Sequence, residues 1–540
     1  MRDAIDKRIE LHDKHHIEIK LDYAIDPSVK HNRYRVECFF FVPQSLGVND
    51  LSYGRAQFYR ASQAYIRFRT PLIALAALAS PTNKGSPLLR MKASLEKLQE
   101  DGHDEKHAKR ISYELRLLAC SIRASLRDRV KALIGQMAAA REKIVAVARV
   151  DKSLRAVNER NGLIAVPSDG DIAPFPNDDQ ITRIEVGMDV LLQELAPVIG
   201  QLRDFGVHLQ DSVVPESLRR DFTNVDEYVS LTVEHYMTSF IEELDKREDD
   251  RLAAMRAHVR DILVAEQKRR ASLSYPSPTS EAPLDREHFV HRAGILKKFA
   301  MSCLFLTIRR REEGRAWADI AASLGAGVGM TASLILTALN EKALAVNSLA
   351  FFTATVLAYA LRDRMKEWAK RYFGARVTRW VRDYMVDIVD PTTGERIGRC
   401  RESFVFAGDK IPSEIAAIRE NRVDNLLPKG SPEVVLKYDK HIELEAKLIH
   451  DLHGRLHDIN DIIRFNVSSL LVRTDDPVQT VHAYDEESDS VKLVECPKVY
   501  HVNLIFALRD EQTGRAAQLT RIRVIVDKGG IKRIEEVRAN

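Results

Sequence analysis

Cysteine is scarce and unpaired here. Cys38, Cys120, Cys303, Cys400 and Cys496 are odd in number and widely scattered, with no CxxC spacing among them. That fits reduced thiols in a cytoplasmic compartment. A dominant charge is also missing: 82 Lys and Arg against 78 Asp and Glu leave +4, which gives no specific nucleic-acid signal. The opening MRDAIDKRIELHDKHH has no apolar core, so no secretory signal is expected. There is no GxSxG, and no cysteine sits in a recognisable catalytic setting, which leaves nucleophilic catalysis without support. The glycine-rich run from Gly325 to Thr331 lacks the lysine, the spacing and the preceding strand of a phosphate-binding loop. The two halves show no internal repeat.

What is present is a globular composition, 30% charged and 45% apolar, in a chain of 540 residues, long enough for two or more domains. One stretch is different. Ile320 to Leu339 holds no charged residue, Asn340, Glu341 and Lys342 interrupt, and Ala343 to Leu361 is again uncharged. A helix of about 20 residues spans roughly 30 Å, the thickness of a bilayer core. The stretch is therefore expected to be a transmembrane helical hairpin. Arg309, Arg310, Arg311 and Arg315 precede it and Arg362, Arg364, Lys366, Lys370 and Arg371 follow, with Trp317, Tyr359 and Trp368 near the same face. Basic flanks stay inside, so both large domains are expected in the cytoplasm and the chain in the cell (inner) membrane as a multi-pass protein.

The resulting fold class is a multidomain membrane protein. It has a mainly α N-terminal half with a long helical bundle or coiled-coil arm, a two-helix transmembrane hairpin, and an α+β C-terminal domain rich in antiparallel strands. Residues 1–80 read as a small β/α region, with strands over Ile17 to Tyr23 and Tyr34 to Val42 expected to form a small sheet or hairpin, then helix from 53 to 79 broken at Pro71. Residues 81–270 read as the arm. Ile111, Leu115, Leu118, Ile122 and Leu126 begin one apolar stripe within 104–158, helix resumes over 181–209 after a Pro- and Gly-rich break at 162–179, and a single helix is expected from Val225 to Arg270. Residues 271–283 are a Pro/Ser linker, 284–315 a juxtamembrane helix and 316–364 the hairpin. Residues 376–540 are the α+β domain: a β-hairpin over 384–400, helix from Glu443 to about Phe465, and strands at 433–438, 480–484, 491–495, 500–508, 520–526 and 531–537, the last pair turning at Gly529 and Gly530.

Two groups of residues carry candidate chemistry. Gly325, Gly329 and Ser333 stand four apart, with Ser323, Gly327 and Thr331 as a neighbouring row. Small side chains let helix backbones approach closely, within the hairpin or between subunits. His450, His453 and His457 share one helical face, with Asp451, Asp458 and Asp461 near. Imidazoles on adjacent turns can ligate zinc or another divalent metal. His288 and His291 form a weaker pair. The leading expectation is a membrane-anchored scaffold or sensor that uses no cofactor. Its partners would be the lipid bilayer, further copies of itself, and a cytoplasmic protein held by the arm and the β-rich domain. A metal-dependent hydrolase on the His450 helix is the alternative. An oligomeric channel built from the hairpin, using Thr331, Thr337, Asn347, Ser348, Thr353 and Thr355, is the second alternative.

Overall fold

Phenylalanines 39, 40 and 41 sit mid-way along a 12-residue strand that is buried on both faces, and the larger sheet is built outward from it. The protein is described by a computed structural model covering residues 5–71, 73–83, 85–101, 105–161, 178–246, 250–279, 282–343, 348–377, 382–408, 410–420, 432–453, 458–487 and 489–537. The chain divides into two bodies, Met1–Arg69 with Phe305–Asn540, and Thr70–Leu304.

The first body holds β1 (Ile5–Leu11), β2 (His16–Tyr23), β3 (Asn32–Pro43), α1 (Arg55–Ala61) and β4 (Ser62–Phe68) from its N-terminal portion. After the return at Phe305 come β5 (Thr307–Glu312), then two helices, then β6 (Tyr384–Val389), β7 (Arg396–Phe406) and β8 (Glu433–Leu444). β9 (Ile459–Asn466), β10 (Val478–Asp485), β11 (Ser490–Pro497), β12 (Tyr500–Asp510), β13 (Gln518–Asp527) and β14 (Gly530–Val537) complete the strands. An eight-stranded sheet runs β14-β13-β12-β3-β8-β7-β6-β5, and a four-stranded sheet runs β1-β2-β9-β4. Every pairing is antiparallel. Strand alternation sends Phe40 toward Phe58 and Phe465, with ring centroids 5.9 and 5.0 Å away. Phe39 and Phe41 point to the opposite face, where a short helix brings Ile415 over them.

The strands foreseen at 17–23 and 34–42 exist, but they do not form a hairpin. β2 pairs with β1 and β9, while β3 pairs with β8 and β12. The helix foreseen over 443–465 is only a short one, Ala446–His453, followed by β9, whose Ile462, Ile463 and Phe465 are core residues. β-branched and aromatic side chains favour a pleated, buried surface, and this preference wins once strands wait on both sides.

The two helices between β5 and β6 are the expected hairpin. They run Glu313–Ala343 and Leu349–Val377, so the polar residues 340–342 continue the first helix. Glu313 N–H donates to Asp383 C=O at 3.3 Å, closing the foot of the hairpin on the paired strands β5 and β6. Among the described residues no helix is long and apolar enough to cross a membrane. That overturns the membrane-protein class, the transmembrane hairpin and the multi-pass inner-membrane location that sequence reading assigned. The physical reason is dilution. The first helix gives many positions to Ala, Gly, Ser and Thr, and the second runs from its apolar half straight into Arg362, Asp363 and Arg364. The juxtamembrane helix expected up to 315 ends instead at Met301, and the chain returns as strand β5.

The second body is all helix: α2 (Leu75–Leu78), α3 (Pro87–Asp101), α4 (Glu105–Asn161), α5 (Asp178–His208), α6 (Glu216–Asp245), α7 (Ala253–Ser272) and α8 (Pro283–Met301). Numbering continues in the first body with the hairpin helices α9 and α10, then α11 (Ser413–Glu420) and α12 (Ala446–His453). The stripe on α4 is buried as foreseen, with Ile111, Leu115, Leu118, Ile122 and Leu126 almost fully covered. The single helix expected from 225 to 270 is two helices. α7 folds back along α6, placing Arg269 2.9 Å from Asp226 and the Arg256 guanidinium 3.3 Å from the Leu244 carbonyl. Folding back lets Val259 and Met255 join the same core as Phe240 and Val233. The expected break at 162–179 lies, as far as residue 177, outside the described residues.

Candidate functional site

The histidine helix separates into unrelated environments. α12 presents Ile449 inward, which turns His450 and Asp451 to solvent. His453 lies on the inner side, with Nε2 2.9 Å from Asp390 Oδ2 and its ring edge-on to Phe68 at 4.7 Å. Asp390 is held by the β6–β7 turn, where the Thr392 N–H donates to its carboxylate at 2.8 Å. Burial pushes the Asp390 carboxyl up, but the hydrogen bonds from His453 and Thr392 outweigh it and hold the group below its ordinary range. His457 lies outside the described residues. Asp458 instead serves the β1–β2 side of the body, accepting from the Ile25 N–H at 3.4 Å. Among the described residues no group of three or more His, Cys, Asp or Glu is placed to hold a metal ion. His288 and His291 are both exposed on α8.

Asp461 belongs to a different constellation, which sequence reading missed. β8 alternates Leu436, Tyr438, Lys440, Ile442 and Leu444 toward the four-stranded sheet, so Lys440 occupies a core slot with its side chain 1% exposed. Its Nζ donates to Asp461 on β9 at 2.6 Å, and the Tyr23 hydroxyl donates to the same carboxylate at 3.1 Å. Glu402, directly opposite Lys440 in the β7–β8 register, is 3.8 Å from the ammonium and 3.0 Å from Arg310. Arg310 lies over the rings of Tyr59 and Tyr384 at 4.6 and 3.7 Å. Tyr59 then donates to Asp383, which also pairs with Arg55.

Burial disfavours the Lys440 ammonium, but the Asp461 charge opposes this and raises its pKa above the ordinary lysine value. Burial pushes the neighbouring Cys400 thiol up to about 12. Lysine stays charged and thiol stays neutral near pH 7, which suits a clasp between sheets rather than a nucleophile. The one legible signal was Lys440 itself, a charge in the inward phase of an alternating strand.

Two surfaces present apolar side chains to solvent. On α9, Gly325 and Gly329 are buried and Ser333 half-buried, whereas Ser323, Gly327 and Thr331 face outward. At 100° per residue these two rows are on opposite sides of the helix. The outward row is bordered by Ile320, Leu324, Val328 and Ile335, each at least half exposed, and together they make an open, apolar side of this one helix. Met330, Leu334 and Leu339 are further exposed apolar residues of α9, and Phe352, Val356 and Leu357 are exposed on α10. The second surface is the ribbon β10–β11, which among the described residues pairs with no other strand and exposes Val478, Tyr484, Val491 and Leu493 on one face.

No protein-family model matches the chain, and no curated protein or solved structure is significantly similar to it.

Proposed function

We propose that this protein is a scaffold, a binding protein that engages another polypeptide through the apolar outer face of the α9–α10 hairpin. The carrying observation is the exposure of one side of α9, where Leu324, Val328 and Leu334 are each 63% exposed or more. Monomers seldom leave a contiguous apolar patch above roughly 300–600 Å² uncovered, and larger ones mark interaction sites. α9 follows directly on β5, which is paired with β6, so the start of the helix is tied to a sheet. Of the buried charged groups, Lys440 is paired with Asp461 and His453 with Asp390 inside the body.

The test is a photo-cross-linking amino acid in place of Val328 in the chain expressed in its own cells. A covalent adduct with a polypeptide is the expected result. If illumination yields no polypeptide adduct at this position, the scaffold reading falls.

A further inference from the structure

We propose that the face of the eight-stranded sheet that carries Phe39 and Phe41 binds an acidic polypeptide, received as a helix with one carboxylate on each turn. This surface is separate from α9 and does not rest on the docking role proposed above.

Strand register builds it. From β5 across to β12, the residues standing opposite one another are Arg311, Met385, Arg401, His441, Arg35 and Arg509. Residues opposite one another project from the same face of a sheet. Six adjacent strands therefore hold a single row with five basic side chains and no acid. The neighbouring row, Arg309, Asp387, Arg399, Glu443 and Arg33, adds three arginines against two carboxylates.

The acids that pair with the row lie low beside it. Asp439 takes Arg35 at 2.8 Å and Asp387 takes Arg311 at 3.4 Å. Both carboxylates are at most 9% exposed, while Arg311 is 69% exposed. A guanidinium has five N–H donors, more than one such carboxylate takes up. Arg401, exposed in mid-row, meets no acceptor among the described residues.

A helix of this chain already reads the end of the row. α11 sits on the other half of the same face, with Ile415 over Phe39 and Phe41, and its Glu414 pairs with Arg509. From Arg401 through His441 and Arg35 to Arg509 is three strand steps, about 14 Å, against about 16 Å for three helical turns. A helix with an acid on each turn thus brings one carboxylate near each cation, and the planar fork of arginine takes a carboxylate two-pronged. A nucleic-acid strand fits less well. Its unbroken line of phosphates would meet Asp387 and Glu443 as well as the arginines, and neither row has an aromatic ring for a base to stack on. A lipid surface would find only Met385 to bury.

The experiment is fluorescence anisotropy of the purified full-length chain at low salt. The probe is a labelled alanine-rich peptide with glutamates at i, i+4, i+7 and i+11. Saturable binding that weakens as salt rises is expected. Arg311→Glu with Arg401→Glu, both at exposed positions, should weaken it at least about tenfold. Arg401→Gln removes one unpaired surface cation and leaves the fold alone; it should weaken binding about two- to fivefold. Arg8→Glu with Lys109→Glu makes the same change in net charge at positions 68% and 70% exposed, off this face, and should leave binding within about twofold.

No binding at low salt overturns the inference. So does an equal loss in the Arg8 and Lys109 variant, or equal binding of a peptide of the same composition with its glutamates scattered around the helix. A single-stranded RNA oligonucleotide, or phosphatidylserine vesicles, that bind more tightly than the peptide and displace it from the row would overturn it in favour of a phosphate-bearing partner.

Discussion

Lys440 stands where the alternation of β8 calls for a hydrocarbon, and its burial is tolerable because Asp461 stands 2.6 Å away, with Glu402 at 3.8 Å. Removing one partner of a buried pair leaves the other charged and without its counter-ion, which costs about 3–5 kcal/mol, whereas removing both together is far milder. Lys440→Met is therefore expected to lower stability by about that amount, and Lys440→Met with Asp461→Asn to recover much of the loss. Urea denaturation of Lys440→Met, Asp461→Asn, the double variant and the wild type checks this. Additive losses would show that the two groups are not coupled.

The His453–Asp390 pair makes a prediction in pH. The folded-state pKa of Asp390 lies below its ordinary value of 3.8, so the unfolded chain binds the proton more tightly. The contribution of this group to stability is then present above pH 3.8 and is lost as the pH falls through the folded value. Asp390→Asn should cost roughly 1–3 kcal/mol at neutral pH, and the gap to wild type should narrow in acid. Denaturation midpoints that keep a constant gap down to pH 3 would contradict the assignment.

At the scale of elements, legibility followed how local the determinants are. The β6–β7 hairpin and strands β8 and β12–β14 were readable because alternation and turn residues lie within a few positions of one another. Gly530, for example, adopts φ +121° at the turn foreseen there. The α4 stripe was readable for the same reason. β9 was not, because its neighbours β2 and β4 lie almost 400 residues or more upstream in the chain. The α6–α7 reversal was invisible because nothing in Asp245 to Arg251 breaks a helix; the gain comes from a core that only the folded chain supplies. The hairpin was read as two helices, which the structure has, but absence of charge over about 20 residues was taken for hydrophobicity, and alanine, glycine and serine do not provide it. Of the candidate site residues, the histidine spacing said nothing about Asp390, which arrives from a turn some 60 residues earlier. The small-residue rows were legible as rows, but which row faces inward depended on where α10 packs.

At the scale of the whole molecule, the chain leaves one body after Arg69 and re-enters it at Phe305. The exit and the re-entry are adjacent. Arg67 and Phe305 form an antiparallel bridge, and the Leu306 N–H donates to the Ile66 carbonyl at 3.0 Å. A short turn is therefore long enough to join them, and its closure cost is low. Each body also has its own core: Ile17, Phe40, Phe58, Phe465 and their neighbours in one, and a continuous cluster from Leu75 to Ala300 in the other. A segment with its own core and adjacent ends behaves as an inserted domain. Residues 5–69 joined to 305–537 by a glycine-containing turn should fold with a mixed strand-and-helix circular dichroism spectrum and unfold in one cooperative transition. Residues 70–304 alone should give a helical spectrum with their own transition. Loss of cooperative unfolding in either piece would show that the two cores fold only together.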